Sequence, residues 1–230
     1  MRIFRHDPAL RADYPQLAAI ALRGKLLPDA RPNQDEIAVL IERSRQRLAA
    51  QTEGEFPEVQ AWRRVFSSMG HKPTQYRSAG EALLRRLRID GDLPSILPII
   101  DLCNAASVAY AVPIAVFDLD HIDGDLTVRY ADGSEVFETF SGEIEHPAEH
   151  EVIFADGAGR AHARRWAHKQ ARTSAARSES TEILIVSEAM HEGALATQIA
   201  LGETLVKLLA PMTIRLEEPV VVTEAGYEFS

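Results

Sequence analysis

Polar residues embedded in apolar runs are the first side chains in this sequence able to do chemistry. Asp101 and Asn104 stand three apart in IIDLCNAAS, so on a helix they share one face. Asp101 reads as a helix N-terminal cap or as a substrate-binding carboxylate. Asn104 reads as a bond to a nearby loop or as a hold on an α-amino or ester group, because an amide both donates and accepts. Asp118 and Asp120 alternate with Phe117 and Leu119, so on a strand both point to one side. That side is either a solvated strand end or a place to pair with a cationic amino acid. Glu188 closes the apolar run EILIVSE. A carboxylate there is either solvated or able to take a hydroxyl, or a guanidinium-like head through a bidentate pair.

A second kind of chemistry lies in two basic clusters. Arg63, Arg64, Lys72, Arg77, Arg85, Arg86 and Arg88 form one, and Arg160, Arg164, Arg165, Lys169, Arg172 and Arg177 the other, with Trp166 inside it. Such clusters are solvated faces with internal ion pairs, or phosphate contacts with one stacking surface for a terminal base. The chain as a whole carries a net charge of -9, which argues against non-specific nucleic-acid binding by the entire surface and leaves room for a local basic patch.

Other chemistries find little support. The eight histidines show no zinc-site spacing, so no metal and no cofactor is expected. Cys103 falls inside an apolar helix and reads as a core thiol. ADGAGR is glycine-rich but lacks the Lys-Ser/Thr ending of a phosphate loop and reads as a hairpin turn. Ser107 and Ser187 have no neighbouring base in the sequence that would make a triad. A single cysteine permits no internal disulfide and points to a reducing compartment. With no signal-peptide pattern and no run of membrane-spanning length, the expected location is the cytoplasm.

The elements that must position these residues follow from periodicity. RIFR (2–5) predicts a short strand, and QLAAIALRG is either a buried strand or a short helix. Asn33 with Glu36 resembles a capping box opening a helix to about Ala50. Val59 to Met69 predicts a helix ended by Gly70, and Ser78 with Glu81 a second capping box opening EALLRRLR. Asp101 begins a helix to about Tyr110. Beyond it PIAVFDLD and LTVRY predict strands joined as a hairpin through Asp123-Gly124. SEVFETF, EVIFAD and EILIVSE add strands. His191 to Leu209 predicts a helix with Leu195, Ile199, Leu205, Leu208 and Leu209 on its apolar face, and TIRLEEPVVV returns as a strand. The expected fold class is α/β (α+β), a mixed β-sheet flanked by helices.

The segment IIDLCNAASVAYAVPIAVFDLDHIDGDLTVR (99–129) resembles the core of the tRNA-editing (B3/B4) domain of the phenylalanyl-tRNA synthetase beta chain. WRRVFSSMGHKPTQYRSAGEALLRRL, LPSILPIIDLCNAAS, VIFADGAGRAHARRWAHKQ and TEILIVSE resemble its free-standing relatives, in the same order. Length favours a single domain over 1–230, and the resemblance marks an editing-domain-like core at 62–209 with an N-terminal helical and strand extension at 1–61. The resemblance also implies a trans-editing aminoacyl-tRNA deacylase whose partner is the acceptor end of a mischarged tRNA. An arginine-like analogue such as canavanine on arginine tRNA is one candidate substrate. Asn104 and Glu188 become the candidate catalytic residues, and Glu188 matches the glutamate that reads the amino-acid side chain in the synthetase. Asp101, Asp118 and Asp120 are candidate substrate contacts. Lys72, Arg77, Arg164, Arg165, Trp166 and Lys169 are candidate tRNA contacts. Three positions depart from the pattern: Leu93 replaces an Arg, Leu97 an Asn and Ala115 a His. These departures favour a rival reading, a non-catalytic tRNA- or RNA-binding module of the same fold.

Overall fold

A strand with apolar residues on both sides needs a cover on each, and QLAAIALRG and EILIVSE are such strands. In the computed structural model, which describes residues 2–72 and 74–229, they lie side by side at the centre of one sheet. The first half of the chain contributes β1 (Arg2–His6), α1 (Pro8–Asp13), β2 (Ala18–Leu26), α2 (Gln34–Ala50), α3 (Pro57–Ser68), α4 (Ala79–Asp90) and α5 (Pro98–Tyr110). Strands follow: β3 (Ile114–Asp118), β4 (Leu126–Tyr130), β5 (Phe137–Glu138), β6 (Ile144–Glu145), β7 (Val152–Ala155), β8 (Ala161–Arg164), β9 (Lys169–Gln170) and β10 (Glu182–Ala189). The chain closes with α6 (Ala194–Leu209), β11 (Thr213–Leu216), β12 (Val220–Val221) and β13 (Tyr227–Phe229).

The strands form two main sheets. One runs β13-β1-β4-β7-β8-β9, with β1 and β4 parallel and the other neighbours antiparallel. The other runs β11-β2-β10-β3, with β12 also paired to β2, and is antiparallel throughout. Alternation along β10 separates two cores. Leu184, Val186 and Met190 join Phe4, Phe154, Trp62 and Trp166 between the sheets and beneath α3. Ile183, Ile185 and Ala189 join Leu102, Cys103, Ala106 and Leu205 under α5 and α6. Each fully buried Leu, Ile or Phe contributes about 1.5–3 kcal/mol, so both faces of β10 hold the layers together.

Several expectations are corrected by this arrangement. QLAAIALRG, read as either strand or short helix, is the strand β2, and β1 and β2 are interior strands of the two sheets. β3 and β4 do not form a hairpin, because they belong to different sheets. Asp123-Gly124 lies in the crossover between them, with Gly124 at φ 66°. β3 stops at Asp118 and a short 3-10 turn takes over at Leu119–His121, so Asp118 and Asp120 do not share a strand face. On α6, Leu195 and Ile199 face solvent, and the buried stripe is Ala194, Gln198, Leu201 and Leu205. Both capping boxes are half made. Asn33 accepts from the backbone of Asp35, and Ser78 from that of Glu81, while the Glu36 and Glu81 side chains turn to Lys207 and Arg63. Gly70 follows α3 as expected, and Pro73, the stop signal beyond it, lies outside the described residues. Among the described residues no helix is long and apolar enough to cross a membrane.

Candidate functional site

Glu188 faces the inter-sheet core, because its register on β10 matches Leu184 and Val186. It is 3% exposed and lines a cavity of about 70 Å³ between the two sheets. Ala115, Val186 and Ala163 make apolar walls, and His168 and Lys169 line the same space. One further wall is Ala79 at the start of α4, which comes this close because Gly80 has no side chain. A Cβ there would lie 2.8 Å from the backbone carbon of Val112.

A chain of donors holds the carboxylate. Arg11 can only donate, so at 3.0 Å from His6 Nδ1 it makes that nitrogen an acceptor. His6 therefore carries its proton on Nε2 and donates to Glu188 Oε1 at 2.5 Å. Trp166 Nε1–H donates to Glu188 Oε2 at 2.9 Å. One donor per oxygen leaves further lone pairs of the carboxylate for a ligand. The indole is aimed by a tight turn in which Arg165 and Trp166 both take left-handed backbone, at φ 46° and 58°. Such a conformation costs roughly 1–3 kcal/mol per residue. Backbone bonds from Arg165 N to Glu151 at 3.0 Å and from Trp166 N to Val152 at 2.7 Å hold it in place.

The remaining sequence candidates are placed as follows. Asn104 lies on α5, the helix covering the opposite face of the β10 sheet from Glu188, and does not line the cavity. The helix begins at Pro98 with Leu97 as its N-cap and no side-chain cap, so Asp101 is not the cap; from inside the first turn it accepts from Ile96 N and Ser95 Oγ at 2.7 Å each, pinning the preceding loop. Asp118 accepts from Asp120 N and from Ser180 Oγ and is 2% exposed, a turn-building role away from the cavity. Asp120 is exposed. Of the basic residues, Arg164 is buried in a bidentate pair with Glu151 at 2.8 Å and a further pair with Glu145. Trp166 is 0% exposed and offers no stacking surface. Arg77 pairs with Glu81 and Lys169 with Glu145. Lys72 and Arg165 form no ion pair among the described residues. The Arg165 guanidinium lies 4.5 Å from the Tyr76 ring centroid, and Tyr76 in turn packs edge-on to His168. The cationic rim is thus smaller than the sequence clusters implied, because most of their members are neutralised by carboxylates.

His6, Tyr76 and His168 were not singled out by sequence. A signal existed for His6, since alternation puts it on the same strand face as Phe4. His168 Nδ1 is 2.8 Å from the Arg77 carbonyl oxygen, a contact with no counterpart in sequence spacing. Cys103 is the expected core thiol, with burial pushing it up to about 12.

Ser174, His162 and Asp156 also line up, with Ser174 Oγ 2.8 Å from His162 Nδ1 and Asp156 Oδ2 3.0 Å from Nε2. Ser174 and His162 are 0% exposed, so no substrate reaches them, and the row serves packing. Burial alone would raise Asp156, but the close His162 ring and hydrogen bonds from the backbone of Arg160 and Asp123 and from the Arg160 side chain hold it well below its ordinary value. The unfolded chain then binds this proton at a higher pH than the folded one. Stability is full above the ordinary Asp value of about 3.9 and falls as pH drops toward the folded value. Urea midpoints measured from pH 6 to pH 3 are expected to decline in the acid range, and Asp156→Asn to show a shallower decline from a lower starting point.

Two sheets with a small, mostly apolar cavity between them, lined in part by the buried Glu188 carboxylate, make up an α+β domain with α3 against the inter-sheet core and α5 and α6 on the outer face of the β10 sheet. Residues 61–201 match the family model described as the B3/4 domain, and the chain belongs to that family. The phenylalanine--tRNA ligase beta subunit of Tropheryma whipplei (strain Twist) is 32% identical over 77 residues, covering 34% of this chain and 8% of the relative. A crystal structure of an N-terminal fragment of the phenylalanyl-tRNA synthetase beta-subunit from Pyrococcus horikoshii aligns with a TM-score of 0.45 at 12% identity. That alignment covers 91% of this chain and 48% of the fragment. The chain therefore spans only a part of either relative's length.

Proposed function

We propose that this protein is a trans-acting aminoacyl-tRNA deacylase, in which the side chain of a mischarged amino acid enters the inter-sheet cavity and meets Glu188. The observation that carries this reading is the buried, doubly anchored Glu188 carboxylate in the lining of a mostly apolar cavity. Aliphatic walls suit methylene groups, and a carboxylate among them suits a hydrogen-bond donor or a cation. A slender side chain with a guanidinium-like head fits that polarity, which keeps canavanine on arginine tRNA as a candidate substrate. An aminoacyl ester is already activated, so its hydrolysis needs a positioned water and a polarised carbonyl, with no covalent nucleophile. Lys72 and Arg165 would hold phosphates of the acceptor end, with Tyr76 as the aromatic surface beside them. Asn104, lying on the other face of the sheet, has no part in this reading.

The test is deacylation of a panel of tRNAs charged with cognate, near-cognate and noncanonical amino acids. At least one ester is expected to decay well above its spontaneous rate, and a panel decaying throughout at the spontaneous rate contradicts the proposal. The contact assignment has its own test. Lys72→Ala and Arg165→Ala are each expected to weaken tRNA binding and to reduce the slope of log affinity against log salt by about 0.7–0.9. Filter binding between 50 and 200 mM salt, concentrations at which such slopes are readily measured, checks it, and unchanged slopes would remove both residues from the interface.

A second reading, a non-catalytic tRNA-binding module, is favoured by one observation: Ala115 puts a methyl group in the cavity wall where synthetase editing domains carry a His. It separates from the first by outcome, since tRNA binding without turnover of any ester supports the module.

A further inference from the structure

We infer that His168 is the general base of the proposed deacylation, taking up the proton role for which position 115 offers no polar group. The inference rests on the deacylase reading above. His168 lines the same cavity as Glu188 and is half-buried, whereas Glu188 is buried. The Arg77 carbonyl oxygen can only accept, so His168 Nδ1, 2.8 Å away, carries a proton. Burial, with the nearby charges of Arg165 and Lys169, holds the imidazole below its ordinary 6.5 despite the raising effects of the Arg77 carbonyl and Glu151. At neutral pH the ring is therefore neutral, with a free lone pair on Nε2. No hydrogen bond within the protein occupies that nitrogen among the described residues. Tyr76 packs edge-on to the ring, 5.3 Å between centroids, and His71 packs against Tyr76 in turn, and neither of them lines the cavity.

With an amino-acid side chain directed at Glu188, in the proposed pose its ester carbonyl lies beside His168, the more exposed of the two residues. Nε2 removes a proton from a water as the water oxygen bonds to the carbonyl carbon. The tetrahedral intermediate then collapses, the bond between that carbon and the ribose oxygen breaks, and the proton on Nε2 passes to the departing ribose oxygen. The products are the free amino acid and a tRNA with its terminal hydroxyl restored, and the imidazole returns to its starting state. Positioned bases of this kind contribute about 10²–10⁴-fold.

The experiment uses the full chain and the ester that the charged-tRNA panel finds to be turned over fastest. His168→Gln is expected to lower kcat at least about 100-fold, the lower end of the range for such bases, with binding of uncharged tRNA held within about twofold. His168→Ala is expected to regain part of its rate on addition of imidazole. Wild-type kcat, corrected for spontaneous hydrolysis, is expected to fall as pH drops below the lowered His168 value, and His168→Gln to lack that limb. Retained kcat in His168→Gln overturns the base while leaving the deacylase standing. If neither variant folds, the wild-type limb decides, and a rate that stays flat down to pH 5 overturns the assignment. A panel with no substrate for the wild-type protein overturns both this inference and the reading beneath it.

Discussion

Glu188→Ala is expected to cost about 2–5 kcal/mol of stability and to lower kcat/KM for the preferred ester by on the order of 10- to 100-fold. The stability loss follows from the two donors left behind. His6 Nε2–H and Trp166 Nε1–H are both buried, and each would lose its acceptor at a cost of about 1–3 kcal/mol. Glutamine is a poor substitute for a specific reason. It offers one acceptor oxygen where two donors converge, so its amide nitrogen must face an N–H. His6 cannot relieve the clash by moving its proton to Nδ1, because Arg11 donates there. The rate loss follows from the contact that Glu188 makes with the incoming side chain, since a hydrogen bond to a charged group is worth about 1.5–3 kcal/mol. Urea denaturation and single-turnover deacylation measure the two effects separately. Full activity in a folded Glu188→Ala would remove Glu188 from substrate recognition.

Arg164→Ala is expected to be among the most destabilising single changes in the chain, at about 3–5 kcal/mol, and to leave the intrinsic tRNA affinity of the folded protein unchanged. Breaking a buried pair strands its partner, and Glu151, 6% exposed, would lose both of its guanidinium bonds. Glu151 also anchors the Arg165 backbone at the left-handed turn that aims Trp166 at Glu188. The effect therefore reaches the cavity through the turn and not through RNA. Denaturation midpoints combined with tRNA titration at a temperature where the variant stays folded give the comparison. A stable variant with weakened, less salt-sensitive binding would return Arg164 to the RNA interface.

What the sequence made legible was set by pattern, and what it hid was set by partners across sheets. Strand β10 and helix α5 follow from apolar runs and their punctuation, and the burial of Cys103 follows from the same run. Glu188 was found through its resemblance to editing domains, and the cavity gives it a physical setting. The pairing of β2 with β10 and of β1 with β4 joins residues more than a hundred positions apart, which periodicity along the chain does not encode. For the same reason Asn104 and Glu188 read as candidate catalytic residues of one site: both lie in recognisable segments, and only the assembled sheet puts α5 and Glu188 on opposite faces. Asp123-Gly124 carries a strong local turn signal, yet the strands it joins enter different sheets. The basic clusters misled in another way. Their cations are close in sequence, but the carboxylates that neutralise them, such as Glu145 of β6 and Glu151 just before β7 for Arg164, come from other segments of the chain.

The most direct measurement is a co-crystal structure with a non-hydrolysable mimic of the charged terminus, an adenosine carrying the preferred amino acid through an amide in place of the ester. The side chain is expected in the inter-sheet cavity, its polar end within hydrogen-bond distance of Glu188, with the adenosine beside Lys72, Tyr76 and Arg165. A saturated mimic bound elsewhere, with the space in front of Glu188 left to water, would contradict the proposed deacylase.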